Sequence, residues 1–202
     1  MIKSIITWLG KAILVLLAKA LVFITAPLLA LPIFVTLKEE QAVTGFPSLM
    51  PGTKREFLIK PLRWAQTHDA PVDEYGLGGY HTRDNSMLHQ WAKRIGIEKY
   101  YYRVKWLQRN SAYDFAERLG MRQDGLEINY NRISNTWRTP STGFDLQTAT
   151  NSLGQRGFML RGQFRIWSNK YMEYRFGYAL QRASPIRDRA MVYIRVFKIR
   201  SY

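Results

Sequence analysis

The hydrophobic pattern of this chain is strongest at its beginning. Residues 20–37 contain no charged side chain. A helix of these 18 residues is about 27 Å long at about 1.5 Å per residue, close to the roughly 30 Å hydrocarbon thickness of a bilayer. Residues 20–37 are therefore predicted to form a membrane-spanning helix.

Residues 1–19 have a different pattern from the predicted span. On a helix of about 100° per residue, polar and apolar side chains fall on opposite sides. The polar arc contains Lys3, Ser4, Thr7, Lys11 and Lys19, and the apolar side contains Ile2, Ile5, Ile6, Leu9, Ile13, Leu16 and Leu17. This division predicts an interfacial helix ahead of the span, with lysines towards lipid phosphates and isoleucines towards acyl chains. The residues expected to contact the membrane are Lys3, Trp8, Lys11, Lys19, Phe23, Phe34 and Lys38.

Three other interpretations compete with a retained anchor. A cleaved signal peptide is disfavoured because the apolar run is long, holds Lys11 and Lys19, and carries Pro27 and Pro32 where a cleavage motif is expected. A re-entrant hairpin bent at either proline is possible because each proline removes a backbone hydrogen bond. A buried helix of a water-soluble domain is the third alternative.

The pattern after the anchor divides the chain further. Residues 38–56 hold several glycines and prolines and are predicted to be a linker, and residues 57–202 a basic α+β domain. Residues 87–96 and 97–108 have helical spacing, with Gly96 as the break between them. A third helix is expected after Ser111, as its N-cap, with Gly120 as its stop.

The carboxyl third alternates apolar and polar residues with a period of two. Residues 158–167, 172–180 and 190–199 are predicted to be strands of an antiparallel meander with one arginine-bearing face. Residues 126–133 are a candidate fourth strand, and residues 134–155 are predicted to be a long loop. The fold class is therefore α+β, with an amino-terminal interfacial or transmembrane helix, short middle helices and a carboxyl-terminal antiparallel β-meander.

The distribution of charge bears on the orientation of the chain in a membrane. The formal net charge is +15, and residues 38–202 carry 27 of the 30 cations and all 15 acids, a net +12. This excess after the span favours a cytoplasmic location for the body. The chain has no cysteine, so disulfides provide no argument for an oxidising compartment.

Aromatic and basic residues alternate in the body. The predicted basic and aromatic surface consists of Arg103, Lys105, Trp106, Arg109, Arg161, Arg165 and Arg175. Such a surface suits the headgroup layer of a membrane or a nucleic acid, and the anchor favours anionic lipid headgroups over nucleic acid. A solvated surface without a partner is the remaining alternative. Oligomeric state is not predicted, and protein partners are possible.

One segment gathers residue types that serve as acids, bases or metal ligands. Residues 66–85 contain His68, Asp69, Asp73 and Asp84, and we treat these four as a candidate functional loop. Their spacing is not that of a zinc helix, and the segment also holds three glycines, which is typical of a turn-rich loop. No metal, cofactor or catalytic residue is predicted.

Three runs of sequence carry a resemblance to a known family. They are WAQTHD at residues 64–69, YRVKWLQRNSAYDF at residues 102–115 and RFGYAL at residues 175–180. They resemble motifs of a family of small uncharacterised membrane proteins of tailed bacteriophages. Ser111 replaces the proline usual in the second motif, and Tyr178 and Ala179 replace the tryptophan and lysine of the third. The resemblance implies a phage origin and a host-membrane setting. The family has no established activity, so the resemblance implies none for this chain.

Three functional classes follow from these observations. The first is a non-enzymatic, phage-encoded membrane-anchored protein whose basic body acts at the host inner membrane, in host takeover or exclusion. The second is a virion protein, structural or ejected, that inserts into the host envelope. The third is a membrane-associated enzyme that uses His68 and Asp69.

Overall fold

A computed structural model describes residues 2–31, 37–38, 55–56, 58–65, 86–109, 111–132, 142–180 and 189–201. The chain forms two compact units. Unit 1 contains Met1–Leu14 and Ala116–Tyr202, and unit 2 contains Val15–Phe115. The class is α+β, as predicted, with an apolar amino-terminal helix, short middle helices and a carboxyl-terminal antiparallel sheet.

The amino-terminal helix, α1, runs from Ile2 to Leu29 without interruption. The boundary expected near residue 20 is absent from the backbone because Ala18, Lys19 and Ala20 all favour helix. The helix also ends before residue 37. Pro27 lies in its last turn, and Pro32 disfavours helical geometry at the residue before it.

The predicted linker is flanked by a short strand pair. Strand β1, Leu37–Lys38, pairs antiparallel with β2, Arg55–Glu56. The two ends of the intervening segment are therefore held together, whereas the sequence predicted a simple connector from residue 38 to residue 56. Residues 39–54 lie outside the described part of the chain.

Unit 2 contains the helices predicted for the middle of the chain. A 3₁₀ helix covers Lys60–Ala65, α2 covers Met87–Arg94 and α3 covers Glu98–Arg109. The Ser86 hydroxyl caps α2 by accepting from the His89 N–H, and Gly96 has a φ of +78° at the turn before α3. The 3₁₀ helix and α3 pack with the later turns of α1 around a hydrophobic core, which consists of Val22, Ala26, Ala30, Leu58, Ala65, Trp106, Leu107 and Ala112.

The third middle helix, α4, covers Tyr113–Arg118 and begins later than the sequence predicted. Ser111 lies in a turn two residues before it. Ala112, between them, has a φ of +48°, and its N–H donates to the Ala65 carbonyl at 3.0 Å. This tertiary hydrogen bond accompanies a turn at Ala112, so Ser111 does not occupy the N-cap position.

The sheet of unit 1 is an antiparallel meander of five strands. The strands are β4, Glu127–Arg132; β5, Gly143–Thr150; β6, Arg156–Trp167; β7, Lys170–Tyr178; and β9, Val192–Ser201. They lie in the order β4-β5-β6-β7-β9. A separate pair joins β3, Met121–Arg122, to β8, Arg189–Ala190.

The predicted strands are present, but the predicted long loop was wrong over β5. That strand pairs with β4 on one side and β6 on the other, so its hydrogen bonds are made by tertiary partners. Its inward residues include Asp145 and Gln147, whereas Phe144 is partly exposed. A polar inward face conceals the usual alternation, and this is why the strand was missed.

The two faces of the sheet differ in character. One face is apolar and aromatic and includes Phe158, Phe164, Ile166 and Phe176. Phe164 and Ile166 of this face are exposed. The other carries buried polar and charged side chains, which are Asp145, Gln147, Arg161, Gln163 and Glu173. The predicted arginine-bearing face therefore exists, but Arg161 does not reach the surface.

A glycine sets the close approach of β7 to β6. Gly177 has a φ of +119°, and a Cβ there would collide with the Phe158 carbonyl oxygen. Only glycine avoids both the steric conflict and the strain of the left-handed region.

We expect Gly177→Ala to destabilise unit 1 by at least about 1–3 kcal/mol, because strain and overpacking act together. The matched control is Gly10→Ala, since a Cβ at Gly10 in α1 meets nothing within 4 Å. Alanine favours helix over glycine by up to about 1 kcal/mol, so this control should be neutral or stabilising. Urea unfolding of the full chain, followed by circular dichroism, measures the stability of both variants. Equal stability of the two variants would contradict the proposed role of Gly177.

Candidate functional site

The outward face of α1 is apolar along its length. Twelve large apolar side chains of α1 are between 40% and 75% exposed, from Ile2 to Leu28. They are Ile2, Ile5, Ile6, Leu9, Ile13, Leu14, Leu16, Leu17, Leu21, Phe23, Ile24 and Leu28. By length and composition the helix is able to cross a membrane, and 22% of its most apolar window is buried.

The inward face of α1 is a narrow stripe. Its buried positions are Trp8, Ala12, Val15, Val22 and Ala26, which recur at intervals of three, four or seven residues. This is the spacing of one side of a helix. Four of the five side chains are small or β-branched, which allows the helix backbone to pack closely. Trp8 and Ala12 are buried in unit 1, and Val15, Val22 and Ala26 are buried in unit 2.

Trp8 fixes the first turns of α1 to the sheet of unit 1. Its Nε1–H donates to the Gly177 carbonyl at 2.9 Å. Its ring makes edge contacts with Phe158 and Phe176, with centroids 5.5 and 6.4 Å away. The sequence predicted that Trp8 contacts the membrane. Its side chain is only 8% exposed and instead packs inside unit 1.

The polar arc of α1 lies beside a cavity of unit 1. The cavity has a volume of about 470 Å³. Its lining is formed by Lys3, Ser4, Thr7, Lys11, Met121, Gly154, Gln155, Arg156 and Tyr178. Three cations and three hydroxyl groups therefore meet in one space, and no carboxylate is among the lining residues.

The side chains around this cavity carry net positive charge. Lys11 Nζ lies 5.6 Å from the centroid of the Tyr178 ring, a cation–π distance. Arg189 is near enough to repel Lys11. Burial raises the pKa of the Tyr178 hydroxyl above its ordinary value, so the hydroxyl remains protonated at neutral pH and is able to donate a hydrogen bond.

The other residues expected to contact the membrane have separate positions. Phe23 lies on the outward face, and Lys19 is half-buried. Lys3 and Lys11 line the cavity. Phe34 and the side chain of Lys38 lie outside the described part of the structure.

The predicted basic and aromatic surface is not a single surface. Lys105 and Arg109 on α3 and Arg165 on β6 are exposed, whereas Arg103, Trp106 and Arg161 are buried and Arg175 is half-buried. Trp106 is fully enclosed in the core of unit 2. The alternation of aromatic and basic residues in the sequence does not distinguish exposed from buried side chains. Amphipathic side chains also pack their stems and rings in the protein interior.

The arginines of the sheet take part in a buried polar network. Arg161 lies between Asp145 and Arg175 in the strand register. Arg175 forms an ion pair with Glu173, whose Oε1 also lies 3.3 Å from Arg195 Nη1. The Asp145 carboxylate accepts from Gln147 Nε2 at 2.8 Å. Removing one partner of a buried ion pair leaves a charge without compensation, so the buried Glu173 carboxylate depends on Arg175 and Arg195.

The candidate loop of His68, Asp69, Asp73 and Asp84 lies outside the described residues. Within the ranges that the structure does describe, no group of three metal-ligating side chains is present. His89 of α2, which the loop hypothesis did not include, has its Nε2 2.7 Å from Glu98 Oε1 and 2.7 Å from the Tyr102 hydroxyl. These contacts join α2 to α3.

A family profile matches the whole of residues 1–202, and its description is a family of unknown function, DUF7338. The chain belongs to DUF7338. No curated protein and no solved structure matches this DUF7338 chain. The resemblance to phage membrane proteins is not tested by these comparisons and stays a prediction.

In this DUF7338 chain, we expect Trp8→Ala to lower the free energy of unfolding of unit 1 by about 3–5 kcal/mol, because it removes a buried ring. Trp8→Phe keeps a ring but loses the hydrogen bond to Gly177, with a smaller direct cost of about 1 kcal/mol. The matched control is Trp167→Ala, since Trp167 is 73% exposed. Denaturant unfolding followed by far-ultraviolet circular dichroism ranks the variants. An effect of Trp8→Ala no larger than that of Trp167→Ala would contradict this packing.

Proposed function

We propose that this is a non-enzymatic membrane-anchored protein. In this proposal α1 lies in the membrane interface, with its outward apolar face in the acyl region, and the basic body lies at the headgroup layer. The observation that carries the proposal is the exposed apolar face of α1 opposite a stripe packed against the protein. A surface helix of a water-soluble protein has the opposite polarity.

The magnitude of the exposed surface supports a lipid environment. Burying one large apolar side chain is worth about 1.5–3 kcal/mol. Twelve such side chains therefore make transfer into an apolar medium favourable by an amount on the order of 20 kcal/mol before any ordering cost. Exposed apolar patches larger than several hundred Å² are uncommon on soluble monomers and usually indicate an interaction surface.

An in-plane position suits α1 better than a spanning one. The helix is about 42 Å long at about 1.5 Å per residue, more than the roughly 30 Å of hydrocarbon. Trp8 and Ala12 are buried within unit 1, and Trp8 contacts the sheet. Crossing the bilayer at these residues brings the sheet, with edge strands β4 and β9, into the hydrocarbon. Open sheet edges are not tolerated there.

Charge favours an anionic surface as the partner. The net charge is +15, and three of the cations lie on α1 itself. Basic residues near an anionic leaflet contribute about 1 kcal/mol each. We place the protein at the inner membrane of a phage-infected host, with the body on the cytoplasmic side. The phage setting is supported by sequence resemblance alone.

We expect the double variant Leu9→Ser/Ile13→Ser to bind vesicles roughly 100-fold more weakly than the wild type. It removes two outward side chains, each 52% exposed, worth about 1.5–3 kcal/mol apiece in lipid. Co-sedimentation with vesicles of phosphatidylcholine and phosphatidylglycerol measures the change.

The control, Leu88→Ser/Leu153→Ser, replaces two exposed aliphatic side chains of the same size away from α1. These leucines are 60% and 59% exposed. The control should bind vesicles like the wild type. Wild-type protein that stays in the supernatant, or equal losses in both double variants, would contradict an anchor formed by α1.

A further inference from the structure

The cavity beside α1 has the composition of an anion site. Lys3 and Lys11 come from α1, Arg156 begins β6, and Tyr178 ends β7. Ser4 and Thr7 add hydroxyl groups from α1. Its volume of about 470 Å³ is within the range of small-molecule sites, roughly 300–1,000 Å³.

The lining of this cavity carries an excess of positive charge. Among the residues that the structure describes, Lys3, Lys11 and Arg156 form no ion pair with a carboxylate. Arg189 lies close enough to Lys11 to add repulsion. Grouping like charges in a partly enclosed space raises the free energy of the folded state unless an anion occupies it.

The hydroxyl groups narrow the choice of anion. A phosphate group presents several strong acceptor oxygens and carries one or two negative charges, so it pairs with several cations and hydroxyl donors at once. A single carboxylate offers two oxygens and one charge. We infer that this cavity binds a phosphate group, held by Lys3, Lys11 and Arg156 and by the hydroxyls of Ser4, Thr7 and Tyr178.

A smaller space adjoins the phosphate cavity and shares two of its residues. It has a volume of about 230 Å³ and is lined by Ser4, Thr148, Ala149, Thr150, Arg156, Gly157 and Phe158. Arg156 and Ser4 border both spaces. The smaller space, with threonine hydroxyls and an aromatic ring, is suited to the group that carries the phosphate.

Two sources provide this chemistry, a lipid headgroup or a soluble phosphate compound. The lipid is the favoured source because Lys3 and Thr7 belong to the same turns of α1 as the exposed Ile2 and Ile6. This choice of source rests on the proposed function. Phosphate recognition itself does not depend on it.

The test uses the full chain and the double variant Lys11→Gln/Arg156→Gln. The control Lys93→Gln/Arg94→Gln removes one lysine and one arginine from exposed positions on α2, so the net charge changes equally. Calorimetric titration with glycerol 3-phosphate forms the soluble arm. Vesicles of phosphatidylcholine with or without phosphatidic acid form the lipid arm.

Hydrogen bonds to charged groups contribute about 1.5–3 kcal/mol each, so the cavity variant should lose at least about tenfold in affinity in the arm that matches the source. The control should stay near the wild type. Tyr178→Phe, which keeps the ring over Lys11, should weaken binding by a few-fold. Lys11→Arg/Arg156→Lys should retain most of the binding because it preserves the charges.

A loss confined to the lipid arm identifies a headgroup site, and a loss in the soluble arm identifies a soluble phosphate compound as a ligand. Equal losses in the cavity variant and the charge-matched control would overturn the inference, as would no binding of either ligand by the wild type. If the protein binds glycerol 3-phosphate specifically but binds no vesicle, the phosphate site is supported and the proposed membrane function is contradicted.

Discussion

The attachment of α1 to the protein along one narrow stripe is the constraint on which the functional interpretation depends. Trp8 provides its most specific contact, through the hydrogen bond to Gly177 and the edges of Phe158 and Phe176. Packing of that stripe determines which side chains of the helix face outward. Leucine, isoleucine and phenylalanine side chains then face outward, and an apolar medium or partner must cover them.

The same attachment explains the polar side of α1. A helix that enters a membrane interface carries polar residues on one side and apolar residues on the other. Here the polar arc of Lys3, Thr7 and Lys11 lines a cavity of unit 1. The lysines are thus placed at a defined site rather than spread over a surface. Under the two proposals made above, α1 has two chemically distinct tasks, insertion through one face and anion recognition through the other.

Much of the architecture was readable from the sequence because local pattern and tertiary environment agree there. Strands β6, β7 and β9 alternate with a period of two, and α2 and α3 are separated by a glycine with positive φ. Strand β5 was not readable, since the buried Asp145 and Gln147 interrupt the apolar side of the alternation, and the strand pairs with β4 and β6 through its backbone. The roles of Trp8, Trp106 and Arg161 were missed for a related reason. Rings and long cationic side chains suit both a core and a surface, and only the tertiary contacts decide between them.

The depth of α1 in a bilayer is the most direct test of the account. The chain has no cysteine, so single cysteines at Ile6, Leu9, Ile13, Leu17 and Leu21 carry spin labels without background labelling. Oxygen and nickel-chelate accessibility in phosphatidylglycerol-containing vesicles then report the depth of each label. The account predicts that all five labels lie in the acyl region at one shallow depth. Labels that remain in water, or that deepen steadily along the helix towards the bilayer centre, would contradict it.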